Sequence, residues 1–360
     1  MKKERKTNIE LLRIIAMILI ISFHYVYKSN FTFEELSVNS FIVKVFYMFG
    51  ELGVNLFILI TGYFMVTGKF SVKKLIYLII EVNFYYLLSI LIGQKLGTIQ
   101  LTTAKDYMMI FFPTIHARYW FITAYIIVYI LSPYLNILIQ NMKKKEYQRL
   151  LMILLLIWCI IPTIFGVFYN TTENMLFYSR LIWLIVMYLV GAYIKLYPIE
   201  IFSKKRNSIL CAILTFACML VSIVIIYKFK NIFEKLGTTE IAYFWTPNTM
   251  LMFLLSVSIF EIFLNIKMKS IKIVNIIAST TLGIYMIHDG VLQRYIWDTI
   301  FKTTEHLSNN SWKIIIDIMI ATIIIFIAGT IIDLIRQFIE KITIKKILDL
   351  KIFNRKSEEK

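Results

Sequence analysis

The stretch IELLRIIAMILIISFHYVYK, residues 9–28, decides how the rest of the chain is read. It is long and apolar enough to cross a bilayer, yet Arg13 and His24 lie inside it. Hydrocarbon disfavours ionisable side chains by a few kcal/mol each, so a spanning helix that keeps two of them is read as using them. Their spacing sharpens the point. Eleven residues at about 100° each come to roughly 20° past three full turns. Both side chains therefore share one stripe of the helix, about 16 Å apart along its axis. One is a permanent cation and the other is the ordinary general base near neutral pH.

The surroundings agree with a membrane chain. Of 360 residues 59% are hydrophobic, and the mean hydropathy is +0.73. A soluble domain of this length does not carry so many apolar runs of spanning length. No Ser/Gly-rich linker divides the chain, which reads as one transmembrane domain, residues 1–340, with a basic cytoplasmic tail, 341–360. The first run follows basic residues as a signal peptide would, but it leaves as HYVYKSN with no small-residue cleavage site, so it reads as a retained helix. Cys159, Cys211 and Cys218 all lie in apolar stretches without CxxC or other metal-ligand spacing, which makes them packing residues.

Runs of about 18 apolar residues or more place spans near 9–27, 41–66, 75–93, 119–140, 150–169, 181–197, 208–227, 243–264, 273–297 and 312–335. The expected fold is all-α, a bundle of about ten transmembrane helices. YMMIFFPTI, residues 107–115, is too short to cross and is expected in the interface or folded back into the bundle. With the N-terminus inside, 26 of the 39 Lys/Arg fall on the inner side and 12 on the outer, and Arg13 lies within the membrane. That asymmetry predicts both termini cytoplasmic. The net charge of +17 is then a matter of topology and anionic headgroups and needs no nucleic acid.

On this topology His24, His116, His288 and His306 all map to the outer leaflet or outer loops. Asp289 is placed either to orient the His288 ring or to be solvated. On the inner side, Arg13 has two prospective partners: Glu10, three residues back on the same face, and Glu81 in the third span. The plainer reading of Arg13 is a buried cation satisfied by such a pair, and that of His24 is an interfacial histidine. No G-x-S-x-G occurs, so a serine-hydrolase mechanism is not indicated.

Four stretches together carry a resemblance. Arg-x10-His in ELLRIIAMILIISFHY, GELGVNLFILITGYF at 50–64, YWFITAYIIVYILSPYLN at 119–136 and TLGIYMIH at 281–288 occur in the order found in the acyltransferase-3 family of integral membrane O-acyltransferases, which the chain resembles over nearly its whole length. The resemblance implies transfer of an acyl group, usually acetyl, from cytosolic acetyl-CoA or another acyl-CoA to hydroxyls of sugars outside the membrane, on capsule, exopolysaccharide or another cell-surface polysaccharide. It places the chain in the plasma membrane. Many such proteins carry an extracytoplasmic esterase-like domain. None is seen here, which points to direct transfer or to hand-over to a separate acceptor protein. One departure is clear: where the family often shows Arg-x-Arg at the entry of the third span, this chain reads KFSVKKLIYL and offers Lys73 and Lys74.

Residues and resemblance combine into one expectation. Arg13, Lys73 and Lys74 are candidate partners of the acyl-CoA phosphates. The slim pantetheine arm then runs along the helix stripe towards His24, which acts as general base or transient acyl carrier, with His288 as a further catalytic candidate. Tyr119, Trp120 and Tyr285 are candidate substrate contacts, the first two alternatively members of an interfacial aromatic belt. Gly50, Gly53 and Gly62 allow either close helix packing or approach of a slim ligand. The rival reading is a flippase or exporter of a lipid-linked glycan or another polar solute, which also explains intramembrane charge. A scaffold protein leaves Arg13 and His24 unexplained.

Overall fold

The computed structural model describes residues 6–29, 36–115, 118–165, 179–235, 246–308 and 310–343. Among these residues there is no strand. The first three helices are α1 (Thr7–Lys28), α2 (Val38–Met65) and α3 (Val72–Lys95). A short α4 (Ala104–Phe111) follows, then α5 (Trp120–Gln140) and α6 (Lys144–Leu155). α6 passes through a π-turn, Leu156–Ile160, into Ile161–Phe165. Next come α7 (Arg180–Leu196), α8 (Lys205–Lys228) and α9 (Met250–Leu264). α10 (Lys272–Ala278), α11 (Thr281–His288) and α12 (Ser311–Ile342) complete the chain.

Among the described residues, seven helices are long and apolar enough to cross a membrane: α1, α2, α3, α5, α6 with its extension, α8 and α12. α7 has 17 residues and α9 has 15. This is a multi-pass membrane protein. Its apolar surface fits that solvent: on α12, Ile316, Ile320, Ile323, Ile327 and Ile331 all stand exposed.

Local chemistry explains several helix ends. Ser37 and Ser40 cap the start of α2 reciprocally, and Thr103 and Asp106 do the same for α4. Of the short apolar segment 107–115, expected in the interface or folded back into the bundle, residues 107–111 fall in this separate two-turn helix. Pro133 sits inside α5 and has no N–H for the Tyr129 carbonyl; the Ser132 hydroxyl donates to that carbonyl instead, at 2.8 Å.

The ninth apolar segment, read as one span over 273–297, is broken. α10 stops at Ala278 and α11 starts at Thr281. The hydroxyls of Ser279, Thr280 and Thr281 donate back to the carbonyls of Ile276, Ile277 and Ala278 at 2.7, 2.8 and 3.0 Å. They add to the bonds that the Ser279 and Thr280 amides make to the Ile276 and Ile277 carbonyls at 3.0 Å, so the polar backbone at the break is paired within its own turn.

α1 is central. It packs along α2 and touches α9, α10, α11 and α12. α2 in turn packs on α7, and the two run the same way, with Asn55 meeting Trp183 and, further on, Gly62 meeting Tyr188. At that crossing Gly62 lies against the Tyr188 carbonyl and Gly191 against the Leu59 carbonyl, too close for a side chain on either helix.

Candidate active site

A cavity of about 740 Å³ runs beside α1. Arg13, Met17, Ile20, His24 and Lys28 line it on successive turns, so the stripe inferred from spacing forms its wall. Neighbouring depths are set by α2: Gly50 lies against the Phe23 ring, and Gly53 against Ile20 and the Ala16 carbonyl. Between the two polar ends the wall is mostly apolar, with Met17, Ile20, Val54, Phe57, Phe121 and Leu282. Phe57 and Phe121 also pack on both hydrophobic cores of the bundle.

At one end Arg13 holds Glu10, with Nη1 at 3.2 Å from each carboxylate oxygen. The alternative partner, Glu81, is engaged elsewhere: its Oε1 lies 3.1 Å from Nη2 of Arg336. Lys74, in the first turn of α3, lines the same cavity, whereas Lys73 does not. Ser71 caps that helix through the Lys74 amide, and Tyr129 fixes the cap by accepting from the Ser71 amide at 3.1 Å.

The other end brings together residues 264 apart in sequence. Nδ1 of His24 lies 3.0 Å from Nε2 of His288. Nδ1 of His288 lies 2.6 Å from the Ile284 carbonyl. A carbonyl only accepts, so the His288 proton sits on Nδ1, and its Nε2 in the neutral ring is an acceptor. His24 must then donate from Nδ1, which leaves its Nε2 bare. That nitrogen is 3.5 Å from Oδ2 of Asp289, whose Oδ1 is 3.4 Å from the Lys28 ammonium. The relay is held from behind, where the Trp297 indole donates to the His288 carbonyl at 3.2 Å. Asp289 therefore faces His24 and Lys28 and is not left to solvent.

Tyr285, one turn before His288, lines the cavity. Its ring lies 6.5 Å from that of His24. Its hydroxyl feels the nearby Asp289 charge but makes no hydrogen bond of ordinary geometry. Tyr119 is buried against Tyr285 with its hydroxyl 3.4 Å from the Met286 carbonyl, so it supports α11 from behind and does not sit in an aromatic belt. Trp120 lines the cavity with the Arg180 guanidinium 4.3 Å over its ring. Gly50 borders the cavity, while Gly53 and Gly62 serve helix packing. His306 falls in the short helical turn Thr303–Ser308, and His116 lies outside the described residues.

Three features escaped the sequence reading. Lys28 and Arg180 stand at the ends of their apolar runs and both line the cavity. Glu51 lines the cavity from within the second span, where a carboxylate in an apolar run was the available signal. Arg336, one residue beyond the expected end of the tenth span, is buried. It binds Oδ1 of Asp333 at 2.6 Å, Glu81 at 3.1 Å and also Glu340. Tyr85 and Gln337 donate to the same Asp333 carboxylate at 2.6 and 2.7 Å.

The sequence from residue 6 to residue 333 matches the model of an acyltransferase domain. The chain belongs to the acyltransferase-3 family. Comparison with curated proteins and with solved structures returned no match. Membership of the acyltransferase-3 family supports membrane acyl transfer in general, and every residue lining the cavity lies inside the matched span.

Proposed function

We propose that this acyltransferase-3 protein takes an acyl group, acetyl by preference, from cytosolic acyl-CoA. It delivers the group to a hydroxyl of an extracytoplasmic sugar or cell-surface polysaccharide, either directly or through a separate acceptor protein. The reading includes ten membrane crossings in the plasma membrane with both termini cytoplasmic. The excess of Lys/Arg in alternate loops supports that orientation. Residues 344–360, most of the expected tail, lie outside the described residues.

One observation carries the reading: a single cavity is lined at one end by Arg13 and Lys74 and at the other by His24 and Asp289. The residues fit acyl-CoA. Two cations suit its phosphates, the apolar middle suits a slim arm, and the rise of about 16 Å from residue 13 to residue 24 is of the order that arm spans. The donor supplies a thioester carbonyl and a thiolate leaving group.

The chain supplies proton handling. His24 Nε2, left bare by the His288 relay, removes the proton of the acceptor hydroxyl as its oxygen attacks the thioester carbonyl. The new Nε2–H of His24 then faces the Asp289 carboxylate. The Tyr285 hydroxyl, which lines the same end without a hydrogen bond of ordinary geometry, donates to the developing oxyanion. When the carbon–sulfur bond breaks, the His24 proton goes to the leaving sulfur, and ester and free CoA result.

Expression of wild type and His24→Ala in one host, with ester-linked acetyl on surface glycan as the readout, tests the reading. Loss of acetyl with unchanged polymer export is expected. Collapse of export with acetylation persisting on the residual polymer would favour the exporter reading instead.

A further inference from the structure

At the His24 end of the cavity a second buried oxygen, besides the Tyr285 hydroxyl, has no partner. Oε2 of Glu51 is shielded from solvent and makes no hydrogen bond. Gly50 lies on Phe23 and Gly53 on Ile20, so Glu51 stands about level with His24 on the adjacent helix, and both line the cavity. The other acid here, Asp289, already has the Lys28 ammonium 3.4 Å from its Oδ1. Arg180, packed on the Trp120 ring, supplies the charge opposing Glu51 from the protein side. A buried carboxylate oxygen without a donor is costly, and this one borders the space that the reacting hydroxyl must enter. Because Arg180 already supplies a cation opposing Glu51, the missing donor need not be a second cation; a neutral O–H suffices.

The geometry points to Glu51 as the residue that selects the acceptor. Its unpartnered oxygen accepts a hydrogen bond from a second hydroxyl of the same molecule, close to the hydroxyl that His24 activates. The acceptor is therefore a neutral ring with neighbouring hydroxyls. A simple alcohol leaves Glu51 unpaired, and a ring with a carboxylate at that position is repelled. Trp120, lining the same end, offers a flat apolar surface to such a ring. This assignment rests on the acyl-transfer reading above for the identity of the reacting hydroxyl.

The test uses the full chain in lipid nanodiscs. The probes are methyl glucoside, methyl galactoside and methyl N-acetylglucosaminide, each with its monodeoxy analogues. Binding is measured by calorimetry, and transfer is measured separately with acetyl-CoA. In wild type, loss of one hydroxyl other than the acylated one is expected to weaken binding about tenfold. In Glu51→Ala that penalty is expected to shrink to within about twofold, with acetyl-CoA affinity unchanged as the check on folding. Glu51→Gln, which keeps the shape and one acceptor, should fall between. A penalty that persists in both variants, or no glycoside binding by wild type, overturns the assignment. Glu51-dependent binding without any acetyl transfer leaves the assignment standing and removes the acyl-transfer reading instead.

Discussion

His24, His288 and Asp289 do different work, and their variants should differ accordingly. His24→Ala removes the proposed base and should lower transfer roughly 100-fold or more, while acetyl-CoA should still bind, since Arg13 and Lys74 stand at the far end of the cavity. His288→Ala removes the acceptor that holds the His24 proton on Nδ1. The rate should fall about tenfold or more through the wrong tautomer, and His288→Gln, whose amide oxygen still accepts, should recover part of it. Steady-state kinetics of the three variants would check this, and equal losses in His288→Ala and His288→Gln would contradict the relay. The stripe of Arg13 and His24 was legible because periodicity speaks for a single helix. The juxtaposition of His24 with His288 was not, because it joins residues 264 apart and no spacing rule reaches across elements. Glu51 was visible as a charge in an apolar run, but which wall it faced depended on how α2 crosses α1.

At the scale of elements, the broken segment is what delivers His288. α11 is only eight residues long and is held by α3 and α12 rather than by its own propensity. Gly283 makes this possible: a Cβ there would collide with the Asp333 carboxylate and the Tyr85 hydroxyl. Gly283→Ala should therefore cost about 1–3 kcal/mol and lower transfer as well, because it pushes α11 off the network that positions it. Arg336→Ala is expected to be harsher. It leaves Asp333, Glu81 and Glu340 facing one another in a buried site, a loss of about 3–5 kcal/mol, visible as a lower Tm in detergent and a smaller folded yield. A wild-type Tm for Arg336→Ala would show that the cluster is not the staple between α3 and α12. Hydropathy located this segment but not its break, since Ser279, Thr280 and Thr281 hardly lower an apolar average. The informative signal was chemical: three consecutive hydroxyls able to bond back to their own turn.

For the molecule as a whole, the consequence of the fold is one passage with unlike ends, so nucleotide binding and acyl transfer should be separable by blocking the middle. Met17 lies one turn beyond Arg13 on the stripe and borders the cavity. Met17→Trp adds a ring in the path of the arm and leaves both polar ends untouched. Transfer from acetyl-CoA should drop by about 100-fold, because a thioester held away from His24 loses the proximity on which attack depends. Binding of 3′,5′-ADP, the nucleotide end of CoA without its arm, should remain within a few-fold of wild type, since its phosphates would meet only Arg13 and Lys74. Calorimetry with 3′,5′-ADP and a transfer assay on the same preparation measure the two effects together. Normal transfer in Met17→Trp would mean that the acyl group reaches His24 by another route, and the cavity beside α1 would then have no claim to be the channel for the thioester.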